Sequence, residues 1–99
     1  MDKIERFIRV PECGLEIDLL RAQVLWNGKN MKMSRQYYAV LVCFARDPWE
    51  TLKAHEIVEH ADLAPSTFWV VVSRLRAMFD QKIIFCLKQQ NYTLLRRDL

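Results

Sequence analysis

The apolar residues of this chain change period at Ser34, and that change constrains the fold more than any other feature of the sequence. A strand sends alternate side chains to opposite faces, whereas a helix returns to one face every three to four residues. Ahead of Ser34 the pattern is that of strands. Ile4 to Val10 is apolar with charges interspersed and stops at Pro11, and Leu15-Glu-Ile-Asp-Leu-Leu20 alternates after Gly14. Gln23-Val-Leu-Trp26 and Asn30-Met-Lys-Met33 flank Asn27-Gly28-Lys29. Asn-Gly between two such runs is the strongest short-range hairpin signal. Residues 1–33 are therefore expected to form a small antiparallel sheet with one face on the core.

Beyond Ser34 the period is helical. Ser34 is suited to cap a helix by accepting a bond from a free backbone N–H, and Tyr37, Tyr38, Leu41, Val42 and Phe44 recur at steps of three to four. Asp47-Pro48 ends that helix, because the residue before proline resists helical dihedrals. A second helix is expected from about Lys53 to Ala61, with Ile57 and Val58 inward and the acids Glu56 and Glu59 outward. After the turn Asp62-Leu-Ala-Pro65 a third helix is expected over about 65–79, with Pro65 in the first turn, where its missing N–H costs nothing. Phe68, Val72, Leu75 and Phe79 make its core stripe. Ser66, Val70, Ser73, Arg74 and Ala77 lie opposite, with Trp69 and Arg76 on the shoulder. Lys82 to Leu95 then reads as a hairpin. Helix, short turn, helix and hairpin is the order of a helix-turn-helix with a wing.

Charge follows the same division. Residues 1–62 carry nine basic against ten acidic side chains, a balance of −1, whereas residues 63–99 carry six against two, +4. A positive field over the third helix and the hairpin is a footprint of polyanion binding. Other classes recede. Two glycines leave no phosphate-cradling loop, and no local motif brings a nucleophile to a base, so no enzyme and no cofactor are expected. Cys13, Cys43 and Cys86 are odd in number and set in apolar context, which predicts buried free thiols in place of a disulfide or zinc framework. His55 and His60 lack metal-ligand spacing and are expected on the surface. No run approaches the roughly 18 apolar residues of a membrane span and no secretory apolar stretch opens the chain, so a cytoplasmic protein is expected.

The residues that carry these signals resemble the OmpR/PhoB-type winged-helix effector domain across roughly residues 4–95. Leu15-Glu-Ile-Asp18 looks like the family's strand before its first hairpin, and Gly28 like its turn glycine. Met33-Ser34 resembles the Leu-Thr that opens the first helix, and Pro48 the proline that closes it. Val72-Ser-Arg-Leu-Arg76 is similar to the Ile-x-x-Leu-Arg core of the recognition helix, and Tyr92-Thr-Leu94 to the strand that ends the wing. The resemblance implies one α+β domain over 1–99: an N-terminal antiparallel sheet (1–33), a three-helix core (34–79) and a C-terminal hairpin wing (82–95). Three features depart from the family. Lys88-Gln-Gln-Asn-Tyr92 replaces its Arg-Gly-x-Gly-Tyr wing turn, which predicts a turn of different shape. The connection between the second and third helices is several residues shorter, and in the resembled proteins that loop touches RNA polymerase. No receiver domain precedes the module in this sequence, so a stand-alone regulator is expected.

On this reading the third helix enters the major groove of double-stranded DNA. Arg74 is the candidate base reader, because a guanidinium fork fits guanine O6 and N7. Val70 is placed for a thymine methyl; Ser66, Thr67 and Ser73 suit phosphate oxygens; Arg76 clamps backbone from the shoulder. Trp69 covers the core edge, a second subunit or the duplex. Lys88 on the wing is placed for the minor groove or its phosphates. Arg96 and Arg97 are given no role. Homodimerisation is compatible with so short a reading surface. The alternative is a winged-helix interaction module that docks on RNA polymerase or another regulator, with Arg74 and Arg76 paired to Glu56 or Glu59 as solvated ion pairs.

Overall fold

A computed structural model of the 99-residue chain describes residues 6–87 and 91–95. Four antiparallel strands come first, β1 (Phe7–Val10), β2 (Leu15–Asp18), β3 (Gln23–Trp26) and β4 (Lys29–Met31), paired in sequence order. Their inward positions are Ile8, Val10, Leu15, Ile17 and Val24, all buried. Register aligns them in rows, Ile8 opposite Ile17 and Ile17 opposite Val24, so one face of the sheet is apolar from edge to edge.

Each hairpin of this sheet has a local cause. Asn27 and Gly28 both take positive φ, 52° and 83°, the dihedrals of the two-residue turn whose twist matches the flanking strands. Leu15 to Leu20 had the alternation of one strand, but β2 stops at Asp18, whose carboxylate accepts from the backbone N–H groups of Leu20 and Arg21 and turns the chain. Gly14, at φ 75°, closes the β1–β2 turn beneath the Asn27 side chain, and Asn27 N–H donates back to Gly14 O at 2.8 Å.

Helix α1 (Arg35–Arg46) starts where Ser34 Oγ accepts from Tyr37 N–H and ends before Pro48. It buries Val40, Leu41, Phe44 and Ala45, and Tyr37, Tyr38 and Val42 lie half-buried at the rim. Helix α2 (Ala54–His60) buries Ile57 and exposes Glu56 and Glu59. A four-residue connection, 61–64, leads to α3 (Pro65–Met78), which has proline in its first turn. Phe68, Val71, Val72 and Leu75 are buried, with Phe79 just past the end, so α3 runs through the centre of the core. Burial of each such side chain contributes about 1.5–3 kcal/mol relative to exposure.

The C-terminal hairpin is part of a three-stranded sheet. β5 (Leu52–Lys53), β6 (Phe85–Cys86) and β7 (Asn91–Thr93) pair in the order β5-β7-β6. The sequence had predicted two strands; the third is a two-residue pairing immediately before α2, too short to show a period. It ties the wing to the helix-turn-helix. Thr93 Oγ1 lies 3.2 Å from Pro48 O and Leu95 N–H donates to the same carbonyl at 2.9 Å, so the loop after α1 is fastened to β7 as well. The cysteines correct an expectation: Cys13 and Cys43 are half-buried and Cys86 is exposed. Cys86 stands opposite Tyr92 in register, on the same face of the pair, but β6 is an edge strand and its side chain stays open to solvent.

Candidate nucleic-acid interface

Because its apolar stripe is in the core, α3 presents the opposite stripe outward. Ser66, Val70, Ser73, Arg74 and Ala77 are all exposed, on the face the periodicity had assigned to them. Val70 keeps 47% of its surface and Trp69 55%, unusual for large apolar side chains on a small domain. The whole 14-residue helix contains no acid. Thr67 and Arg76 sit half-buried at its edges.

Arg74 is held by a group the sequence reading had placed on the core side of α1. Its Nη1 donates to the Tyr37 hydroxyl at 3.3 Å, so Tyr37 has its ring against the core and its oxygen on the α3 surface. Such a bond orients the guanidinium and leaves its other donors available. Arg76 has its Nε buried with no hydrogen-bond partner among the described residues. The ion pairs among the described residues are Arg6–Asp18, Arg21–Asp18 and Arg9–Glu16, so neither Arg74 nor Arg76 is paired with Glu56 or Glu59.

Trp69 leans on the wing. Its ring meets Tyr92 edge-on at 5.8 Å, and Phe68 meets the same ring at 5.2 Å, which fixes the angle between α3 and β7. Burial pushes the Tyr92 hydroxyl up to about 12, and the Cys86 thiol beside it adds to the shift. Lys88, the wing cation, lies outside the described residues, as do Gln89, Gln90, Arg96 and Arg97. Glu56, Glu59 and Asp62 are exposed on α2 and on the connection that follows it. One of those carboxylates is engaged locally, since Glu56 Oε1 accepts from Lys53 N–H at 3.2 Å at the start of α2. Among the described residues no helix is long and apolar enough to cross a membrane.

No protein-family model and no curated protein matches this sequence. Solved structures do. The DNA-binding domain of Klebsiella pneumoniae RstA, crystallised with the RstA box, superposes with a TM-score of 0.77 at 19% identity, over 92% of this chain and 98% of that one. The DNA-binding domain of the response regulator AdeR, crystallised with an intercistronic region, gives 0.76 at 18% identity, over 84% and 95%. Thermotoga maritima DrrB, an OmpR/PhoB homolog, gives 0.77 at 16% identity over 93% of this chain, which spans 45% of DrrB. The chain therefore has the winged-helix fold of OmpR/PhoB-type DNA-binding domains, with a four-stranded N-terminal sheet, three helices and a C-terminal hairpin.

Proposed function

We propose that the chain is a sequence-specific DNA-binding transcriptional regulator that sets α3 in the major groove and the wing on the adjacent backbone or minor groove. The observation that carries this reading is the outward face of α3: exposed along its length, free of acids, and backed by a stripe wholly in the core. A helix so mounted is rigid, as a base reader must be. Arg74 reads guanine, oriented by Tyr37; Val70 meets a thymine methyl; Ser66, Thr67 and Ser73 bind phosphate oxygens. Arg76 clamps the backbone from the shoulder of the face, Trp69 shields the groove wall between α3 and the wing, and Lys88 neutralises phosphate. That RstA and AdeR domains of this fold were crystallised with DNA supports the reading.

Selection from random-sequence duplexes, followed by mobility shifts at two salt concentrations, tests it. Each phosphate neutralised contributes about −0.9 to the slope of log K against log salt. Absence of any salt-sensitive complex at micromolar protein overturns the proposal.

A second reading is favoured by the acids. Glu56, Glu59 and Asp62 are exposed where the first helix of a helix-turn-helix approaches phosphate, and they repel it. They suit a module that docks on RNA polymerase or another regulator. A stoichiometric protein complex that survives nuclease, with no selected DNA site, decides for this alternative.

A further inference from the structure

The described residues expose four large apolar side chains, and two of them, Trp69 and Val70, are neighbours on the outward side of α3. Adjacent apolar groups left in water call for an apolar group on whatever covers them. If that partner is the major groove, its base edges offer one such group, the C5-methyl of a pyrimidine. Thymine carries it always, and cytosine carries it when methylated.

The remaining chemistry of the face is narrow. α3 contains no Asn, Gln, Asp or Glu. It therefore has neither the amide that pairs bidentately with adenine nor the carboxylate that accepts from the cytosine amino group. The hydroxyls of Ser66 and Ser73 bond to any base edge or to phosphate and discriminate little. Arg74 is left as the exposed bidentate reader of this helix, and its bond to the Tyr37 hydroxyl limits how far the guanidinium swings along a groove.

Spacing follows from the helix. Val70 and Arg74 are four residues apart, about 6 Å along the axis and about 40° around it. Base pairs stack at about 3.4 Å, so the two side chains meet positions about one to two base pairs apart. Valine is short and needs close approach. Ser66, Ser73 and Ala77 on the same face are small and permit it.

We propose that α3 reads a two-point element, a C5-methyl pyrimidine met by Val70 and a guanine met by Arg74 about one to two base pairs away. Val70 is then a specificity-determining residue, and the methyl group is what it recognises. Trp69, resting on Tyr92, extends the apolar surface from Val70 towards the wing. The proposal rests on the DNA reading above and adds to it the chemical group that is read and its distance from the guanine.

A duplex obtained by selection from random sequence is the probe, with each thymine replaced in turn by deoxyuridine, and the full chain is titrated by competition anisotropy. Loss of the methyl at one position is expected to weaken binding about fourfold, the effect of one buried methyl. That position is expected about one to two base pairs from the guanine whose preference disappears in Arg74→Ala. Val70→Ser replaces the apolar group by a hydroxyl at nearly unchanged helix propensity. It is expected to bind the thymine and deoxyuridine duplexes alike, and a thermal melt checks that its fold is kept. Cytosine and 5-methylcytosine, each opposite guanine, are compared at the same position. A methyl-dependent gain there as well shows that either base serves, and a gain for thymine over deoxyuridine alone assigns thymine. A site that depends on Arg74 but shows no deoxyuridine effect overturns the proposal and leaves the DNA reading standing. So does a methyl effect that survives in Val70→Ser, or one more than about three base pairs from the guanine. Absence of any selected site overturns both.

Discussion

Replacing Arg74 with alanine separates base reading from every other role this residue has. Its one side-chain hydrogen bond among the described residues, to the Tyr37 hydroxyl at 3.3 Å, is exposed and made to a neutral acceptor. Losing it costs about 0.5 kcal/mol, and the higher helix propensity of alanine offsets part of that. The melting temperature is therefore expected to move by no more than about 2–4 °C. A bidentate guanine contact contributes about 1–3 kcal/mol of discrimination. At 1.4 kcal/mol per decade this is roughly 5- to 140-fold at one base pair. The effect on recognition thus exceeds the effect on stability, and the two are measured separately. The assay is competition anisotropy at fixed salt, with the selected duplex permuted at each position. Preference is expected to collapse at one position and to persist at the others. Tyr37→Phe leaves the guanidinium in place but unheld, and is expected to weaken the same position by only a few fold. A variant that loses affinity equally for all sequences makes Arg74 a phosphate contact, and one that keeps full preference everywhere removes it from the interface; either result refutes the reasoning.

Three further outcomes are expected. Gly14→Ala places a Cβ against Asn27 Oδ1 in a backbone at φ 75°, so it should cost at least about 1–3 kcal/mol in urea unfolding, whereas the open Gly28 position should lose only the backbone component. The Arg6 guanidinium, bonded to both oxygens of Asp18, holds that carboxyl below its ordinary 3.8. Its stabilisation is present above 3.8 and is lost as pH falls through the lowered value, so Asp18→Asn should flatten the acid limb of a urea-midpoint-against-pH curve. Tyr92 should ionise near 12 in an alkaline absorbance titration, and its burial should cost stability as pH rises from about 10 towards that value, because the unfolded chain loses its proton first.

Much of the fold was legible because its causes are local. Ser34 caps α1, Pro65 opens α3, and Asn27-Gly28 makes a two-residue turn through dihedral preferences that act within a few residues. The division of Phe68 to Val72 was legible for the same reason: successive helical residues are rotated by about 100°, so Phe68 and Val72 point inward while Val70 points out. β5 escaped notice because two residues define no period, and Leu52-Lys53 pairs with Tyr92 and Asn91 forty residues further along the chain. Cys86 was expected inside from its apolar neighbours, but β6 is the edge strand of the sheet β5-β7-β6, so its side chain beside Tyr92 stays open to solvent.

The candidate site divides along the same line. Periodicity alone determined which α3 residues face outward, since a helix with Phe68, Val72, Leu75 and Phe79 in the core has one possible opposite face. Tertiary structure decided what those residues meet. That Tyr37 holds Arg74 and that Trp69 rests on Tyr92 depends on how helices and wing pack. The physical reason is range: hydrophobic period and capping are written between neighbours, whereas a contact across 37 residues exists only once the core has set the helices against one another.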